Sequence, residues 1–259
     1  MPHPFCDLFP RPKPVVAVLH VGPSPGVPGS RGVGAAVDRA VAEARLLVDL
    51  GVDGLLVENA HDAPALAGDE VGPEVVAFLT RVAAGVRRHA GRLPVGVRVL
   101  HSSRAALAVA HGAGCHFVRV DGWAEDPGEP ARFHRYRALL QTDLPALADV
   151  RPDGLDDVPA LVAAVEAGRP DALLVLGPRV GVPPRPGVVE EAREHAALPL
   201  FFGGGVDADA FPAVVDLADG FLVGSGLKER GRWQGPVCEP RVRALVGAAE
   251  YARGQEVRQ

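Results

Sequence analysis

The segment Phe201-Phe202-Gly203-Gly204-Gly205-Val206 is a short apolar run that ends in three glycines. A second segment of the same design, Phe221-Leu222-Val223-Gly224-Ser225-Gly226, follows it along the chain. Short, continuous apolar runs are typical of strands that are buried on both faces of a parallel sheet. Glycines after such a strand let the backbone approach a ligand closely. The two segments therefore predict two strands of a covered parallel sheet, with a binding site at their carboxyl ends.

Six further apolar runs precede these two, with amphipathic helical stretches between them. The eight predicted strands are Val15–His20, Gly54–Glu58, Val95–Leu100, His116–Val120, Pro145–Asp149, Ala172–Leu176, Leu200–Gly203 and Gly220–Val223. In 259 residues this makes about 32 residues per βα unit, which suits a (β/α)8 barrel of roughly 250 residues. We therefore predict a single (β/α)8 TIM barrel domain spanning residues 1–259.

A doubly wound open sheet is the alternative fold. Such a sheet binds dinucleotides through a glycine-rich turn after its first strand. Here the first strand is followed by Gly22–Ser30, which contains three prolines and no G-x-G-x-x-G pattern. Each proline removes a backbone donor that could hold a pyrophosphate. The barrel is therefore the favoured fold.

Composition and charge narrow the classes of partner. The chain is 47% hydrophobic and 23% charged, as expected of a folded globular protein. A formal net charge of −5 provides no basic field for nucleic acid or an anionic membrane, and no apolar run approaches the roughly 18 residues of a membrane span. The three cysteines are far apart, and Met1–Leu8 lacks the features of a secretion signal. We therefore predict a cytoplasmic protein.

Active sites of (β/α)8 barrels lie at the carboxyl ends of the strands. The candidates for catalytic acid/base chemistry there are His20, Glu58, Asp121 and Asp149. A desolvated carboxyl group can have a raised pKa and serve as a general acid or base. The alternative is a carboxylate paired with Arg98 or Arg119 and, for the histidine, a buried imidazole with a structural hydrogen bond.

Other polar residues near the strand ends are candidates for binding. We predict a substrate-binding set of Asn59, Arg98, His101, Arg119 and Lys228. Guanidinium groups can bind a carboxylate or stabilise developing negative charge, and a lysine can meet a phosphate as a point charge. The predicted phosphate-binding set is Gly203, Gly204, Gly205, Gly224 and Ser225, because phosphate sites after strands seven and eight are frequent in such barrels. The alternative is that these glycines only make tight turns.

No H-x-H or H-E-x-x-H pair is present, so the sequence assigns no metal-binding residue and no certain cofactor. A divalent metal would need dispersed ligands. One such alternative is a metal-dependent aldolase that uses His20, His101 and nearby carboxylates.

Several ordered motifs make the chain resemble the BtpA/SgcQ family over nearly its whole length. They include His20 with its Pro-Ser-Pro-Gly loop, Asp53–Asn59, Gly72–Ala77, Phe117–Val120, Ala148–Val150 and Ala218–Lys228. The resemblance implies a phosphate-binding type of (β/α)8 barrel. It also implies two kinds of function, because the family takes its name from a photosystem I biogenesis factor while other members look like sugar-phosphate or nucleoside enzymes.

Together, the residues and the resemblance favour an enzyme acting on a small phosphorylated ligand. A sugar phosphate or a phosphoribosyl or nucleoside compound would suit the site, through isomerase, lyase or glycosyl-transfer chemistry. The alternative is a non-catalytic assembly or biogenesis factor on the same scaffold. Dimers are common among barrels, so a homo-oligomer stays open.

Overall fold

The computed structural model describes residues 4–152 and 157–256. Its eight parallel strands form one closed barrel in chain order, and the first strand also pairs with the eighth. The strands are β1 Val15–His20, β2 Gly54–Glu58, β3 Val95–Arg98, β4 Phe117–Val120, β5 Ala146–Val150, β6 Ala172–Leu176, β7 Leu200–Gly203 and β8 Gly220–Val223. The predicted (β/α)8 barrel is therefore confirmed, and the open doubly wound sheet is wrong. The predicted domain, residues 1–259, also includes 1–3, 153–156 and 257–259, which lie outside the described residues.

Helices alternate with the strands. They are α1 Val33–Asp49, α2 Pro73–His89, α3 Ser103–Ala113, α4 Glu129–Leu139, α5 Val158–Ala167, α6 Pro186–His195, α7 Phe211–Val214 and α8 Glu239–Glu256. Short 3-10 turns at Ser225–Leu227 and Glu229–Gly231 lie between β8 and α8. Proline stands at the start of most of these helices. Backbone N–H groups in the first turn have no acceptor within the helix, so the N–H that proline lacks costs no hydrogen bond there.

The third strand ends earlier than predicted, at Arg98 instead of Leu100. The reason is a side-chain acceptor in the neighbouring loop. The backbone N–H of Leu100 donates to Asn59 Oδ1 at 2.9 Å, so it leaves the strand ladder. The other strand ends agree with the prediction within one residue.

Apolar residues form two separate layers of core. The larger layer lies between the barrel and the surrounding helices, and the smaller layer fills the barrel interior. Phe5 and Phe9, which precede β1, belong to the interior layer. The Phe5 ring meets the rings of Phe117 and Phe201 edge-on, with centroids 5.7 and 5.3 Å apart. The segment before β1 therefore closes the amino-terminal end of the barrel.

No helix among the described residues is both long enough and apolar enough to cross a membrane.

Candidate active site

Strand alternation places a charged ring at the carboxyl end of the barrel interior. Side chains point to opposite faces at successive strand positions, so residues two apart share a face. Val18, Leu56, Phe117 and Leu147 are interior core residues, and two positions further along each strand stand His20, Glu58, Arg119 and Asp149. Arg98 ends β3 in register with Glu58. The apolar interior therefore ends in a polar layer that opens into the mouth of the barrel.

The mouth is a cavity with two connected lobes. The wide lobe, of about 830 Å³, lies over β2 to β5 and is lined by Glu58, Arg98, His101, Asp121, Asp149 and residues of the β4–α4 loop. The narrow lobe, of about 80 Å³, lies towards β6 to β8 and is lined by Arg119, Arg179, Gly181, Gly204, Gly224 and Ser225. Both lobes share His20, Glu58, Arg98, Arg151, Val180 and Trp233.

The floor of the mouth is a buried network of ion pairs. Glu58 accepts from Arg98 through Oε1 and from Arg119 through Oε2, each at 3.1 Å. Arg119 also holds Asp149 with two parallel hydrogen bonds, at 2.8 and 3.0 Å. Arg98 donates to Asp121 Oδ2 at 2.5 Å, and Arg151 donates to Asp149 Oδ2 at 3.0 Å. Three arginines and three carboxylates thus hold one another in fixed positions.

This network reverses the expected pKa shift of the buried carboxyls. Burial alone would raise the pKa of Glu58, but the charges of Arg98 and Arg119 lower that pKa to about 2. Burial opposes ionisation of Asp149 as well, and its arginine partners again lower the pKa. The prediction of raised carboxyl pKa values is therefore wrong at these two residues, and the alternative of arginine pairing describes them.

His20 differs from the carboxylates because it is held neutral. Burial lowers its pKa to about 4 against the opposing charge of Glu58. Its Nδ1 lies 2.9 Å from the carbonyl oxygen of Trp233. A carbonyl oxygen only accepts, so we assign the ring proton to Nδ1 and leave the Nε2 lone pair free. A Cβ on Gly224 would lie 3.1 Å from Nε2, so Nε2 faces the β8 side of the mouth.

The predicted phosphate-binding residues divide into two groups. Gly204, Gly224 and Ser225 line the narrow lobe, while Gly203 packs against Leu176 and Gly205 against the β6–α6 loop. Gly205 has φ +76°, and a Cβ there would lie 2.5 Å from the Gly181 carbonyl oxygen. Among the hydrogen bonds of the described residues, none is donated by the backbone N–H of Gly204 or Gly224. Tight packing explains Gly205, and two open donors remain beside the narrow lobe.

Two predicted substrate-binding residues lie outside both lobes. Asn59 uses its amide to join loops, since Oδ1 accepts from Leu100 and Nδ2 donates to Asp62 at 2.8 Å. Lys228 is buried and its ammonium pairs with Glu43 of α1. Burial lowers the pKa of Lys228 to about 8. Both side chains are therefore committed to the fold, because internal partners take the groups that a substrate would have used.

His101 lies at the rim of the wide lobe. Its side chain is 57% exposed, and Nδ1 is 3.8 Å from Asp121 Oδ2. Its backbone has φ +56°, which projects it from the turn after β3. A rim position suits contact with a ligand in the wide lobe.

We expect Asp62→Ala to lower the free energy of unfolding by about 1 to 3 kcal/mol, because the substitution leaves buried hydrogen-bond donors without an acceptor. Asp62 accepts from the backbone N–H and hydroxyl of Ser24 and from Asn59. Urea unfolding measures the loss. Asp69→Ala is the matched control, because its pair with Arg104 is exposed and should contribute less than about 1 kcal/mol. Equal losses in the two variants would contradict the role of Asp62.

The predicted site residues do not include Arg151, Arg179 or Trp233, although all three line the mouth. Arg151 directly follows β5, so its position was a usable signal. Arg179 lies in the proline-rich β6–α6 loop, and Trp233 lies well beyond β8. The Trp233 ring contacts His20 and His61, with centroids 5.7 and 4.8 Å apart. Because Trp233 lies outside any predicted strand, nothing in the sequence around it predicts that its ring lines the mouth.

Candidate metal ligands do not converge in the described part of the chain. No group of three or more His, Cys, Asp or Glu side chains there is arranged to hold a metal ion. The metal-dependent aldolase alternative therefore lacks a ligand set built on His20 and His101. The carboxylates near them are already paired with arginines.

Sequence comparison identifies relatives along most of the chain. A family model described as the BtpA family matches residues 11–251. The "Photosystem I biogenesis protein BtpA" of Synechocystis sp. is 33% identical over 253 residues, which cover 91% of this chain and 88% of that protein. The similarity therefore includes every strand of the barrel.

Solved structures match the fold at low sequence identity. Phosphoribosyl anthranilate isomerase from Thermus thermophilus aligns with a TM-score of 0.62 and 15% identity, over 92% of this chain and 99% of that one. (S)-3-O-geranylgeranylglyceryl phosphate synthase from Thermoplasma acidophilum, in complex with its substrate sn-glycerol-1-phosphate, aligns with a TM-score of 0.62 and 12% identity, over 91% and 92%. At these identities the matches concern the fold alone.

Proposed function

The chain belongs to the BtpA family, and on this premise we propose that it is an enzyme acting on a small phosphorylated molecule held in the barrel mouth. The narrow lobe would hold the phosphate. The reacting part of the molecule would lie over His20 and the buried ion pairs. Structural neighbours with the same fold include enzymes whose names specify phosphorylated compounds, which supports this class of ligand.

The charge of the narrow lobe is the observation that carries the proposal. Four arginines line it: Arg98, Arg119, Arg151 and Arg179. The first three are balanced by Glu58, Asp121 and Asp149, and among the described residues Arg179 has no carboxylate partner, so Arg179 supplies the net positive charge. The open N–H groups of Gly204 and Gly224 and the Ser225 hydroxyl add donors. A small, partly enclosed space with one unbalanced guanidinium group and several neutral donors suits a phosphate group.

His20 is the proposed general base. Its imidazole is neutral near pH 7, and Nε2 can accept a proton from a substrate hydroxyl or carbon. Glu58 and Asp149 stay ionised and keep Arg98 and Arg119 in place to stabilise developing negative charge. Asp121, at the edge of the wide lobe, is the proposed second acid/base group. This arrangement supports isomerase, lyase or glycosyl-transfer chemistry.

We expect inorganic phosphate, sn-glycerol-1-phosphate or ribose 5-phosphate to raise the free energy of unfolding. At about 100 times its Kd a ligand should add roughly 2.7 kcal/mol, which thermal unfolding detects. Arg179→Gln should weaken binding about tenfold, because it removes a charge-assisted hydrogen bond without touching the ion-pair network.

Arg185→Gln is the matched control for this experiment. Arg185 is exposed in the same loop, outside the residues that line the narrow lobe. Equal weakening by Arg179→Gln and Arg185→Gln would contradict the phosphate site, as would the absence of stabilisation by any phosphate.

A compound that stabilises the protein is then incubated with wild type and His20→Asn, and its conversion is followed by phosphorus NMR. Conversion only by the wild type supports the proposed base.

A role in assembly is the second candidate function. It is favoured by the name of the Synechocystis relative, a photosystem I biogenesis protein. A purely non-catalytic role predicts that phosphorylated compounds bind without conversion, and that His20→Asn binds them as the wild type does.

A further inference from the structure

The two lobes of the mouth differ in size by about a factor of ten. The narrow lobe, of about 80 Å³, has room for one small anionic group. The wide lobe, of about 830 Å³, is as large as pockets that enclose whole drug-sized ligands. A glycerol phosphate or triose phosphate held by the narrow lobe would leave most of the wide lobe to water. The cavity is therefore built for a phosphorylated molecule with a much larger second part.

Trp233 stands where the two lobes join. It lines both of them, and it is only partly buried. The carbonyl oxygen of the same residue accepts the His20 hydrogen bond, so the indole lies beside the proposed base. A planar ring in a ligand can pack on such an indole, and stacking of this kind contributes strongly to the binding of bases and other ring systems.

The loop that carries Trp233 is held by its own hydrogen bonds. Glu229 N–H donates to the Pro236 carbonyl at 3.0 Å, and Gly235 N–H donates to the Arg232 carbonyl at 2.9 Å. Lys228 and Val237 form an antiparallel bridge at its base. The indole is thus presented to the cavity by an ordered loop, which reduces the conformational entropy that the loop would lose when a ligand binds.

The lining of the wide lobe also provides acceptors. Asp121 and Glu125 line it, and both follow β4; Asp121 Oδ2 accepts from Arg98, and among the described residues Glu125 has no side-chain partner. Carboxylate oxygens accept hydrogen bonds from hydroxyl and amino groups. A ligand part that combines a planar ring with hydroxyl or amino donors would therefore match both the tryptophan and the acceptors of the wide lobe.

We propose that the wide lobe is a subsite for a ring-bearing group that packs on Trp233, so that the substrate is a phosphate monoester of nucleotide size. This inference rests on the proposed function, because it takes the phosphate position from the narrow lobe. It assigns Trp233 the part of a specificity-determining residue: phosphate binding needs only the narrow lobe, and the preference for a ring needs the indole.

The chain offers a direct optical test. It has two tryptophans, and Trp123 is buried against Phe133 and is not part of the lining of either lobe. The full-length Trp123→Phe protein therefore reports fluorescence from Trp233 alone. We expect adenosine 5′-monophosphate to change this fluorescence and to bind at least tenfold more tightly than sn-glycerol-1-phosphate or inorganic phosphate. Unphosphorylated adenosine should bind weakly, because it lacks the anion.

Variants at Trp233 distinguish the contribution of the wide lobe to ligand binding from that of the narrow lobe. Calorimetry on Trp233→Ala should show binding of adenosine 5′-monophosphate weakened about tenfold more than binding of inorganic phosphate, and Trp233→Phe should restore most of the loss. Equal affinities of the wild type for inorganic phosphate and the nucleotide would overturn this inference while leaving the proposed function intact. Equal weakening of both ligands by Trp233→Ala would overturn it too. No binding of any phosphate would overturn both.

Discussion

Replacing Arg119 by methionine will lower the free energy of unfolding by about 3 to 5 kcal/mol. Arg119 is buried and pairs with Glu58 and Asp149, which are also buried. Without it, the arginine partners that remain among the described residues are the half-exposed Arg151 for Asp149 and Arg98 for Glu58. Removal of one partner from a buried ion pair leaves a largely desolvated charge with too little compensation, which is far more destabilising than the loss of the attraction alone.

Urea unfolding at pH 7 measures this effect. Arg243→Met is the control, because it removes the same side-chain type from an exposed pair with Glu239 on α8. Exposed pairs contribute at most about 1 kcal/mol, so the control should lose little. A loss below about 1 kcal/mol for Arg119→Met would mean that the network is not needed for stability, and that the barrel mouth relaxes around the two carboxylates.

Stability will fall in two steps as the pH is lowered. The pKa of His20 is about 4 in the folded protein, against an ordinary 6.5, and that of Glu58 is about 2, against 4.5. In both cases the unfolded chain binds the proton more readily, so acid favours unfolding. The His20 contribution is present above pH 6.5 and is lost as the pH falls towards 4. The Glu58 contribution is lost between pH 4.5 and 2. Each shift corresponds to about 3 kcal/mol.

The His20 step can be isolated with one variant. His20→Asn keeps a donor for the Trp233 carbonyl but has no group that titrates in this range. Unfolding free energies of both proteins at pH 7, 5 and 4 should show a wild-type loss about 3 kcal/mol greater than that of the variant. Burial also lowers the pKa of His61 and His116, and these residues are present in both proteins. Parallel curves for the two proteins would contradict a buried neutral His20.

The fold was predictable because its signals are local. Each strand is a continuous apolar run, such as Ala172–Leu176, and strand bounds follow from where the run begins and ends. The error at Val95–Leu100 has a non-local cause, since Asn59 in another loop captures the backbone N–H of Leu100. Strand ends that depend on side chains from elsewhere cannot be predicted from periodicity.

The position of the candidate site was predictable, whereas the pairing of its carboxylates with Arg98 and Arg119 could be named only as an alternative. The rule that barrel sites form at the carboxyl ends of strands locates His20, Glu58 and Asp149 in the mouth. Whether a carboxyl group there is raised or lowered in pKa depends on which arginines it meets, and those lie on other strands. The pairing of Lys228 could not be predicted for the same reason, since its partner Glu43 belongs to α1, far away along the chain. Trp233 reaches the mouth through loop geometry that no residue type predicts.

The packing of Phe5 and Phe9 into the amino-terminal end of the barrel affects how the chain folds during synthesis. Phe5 packs on Phe117 from β4 and Phe201 from β7, and β1 pairs with β8. These contacts join residues that are far apart along the chain, and such contacts slow folding. A nascent chain that has not yet produced β7 exposes both rings and one open edge of β1. Folding intermediates of this barrel are therefore prone to aggregation until β7 and β8 have been synthesised. We expect chaperones to bind the chain mainly before that stage.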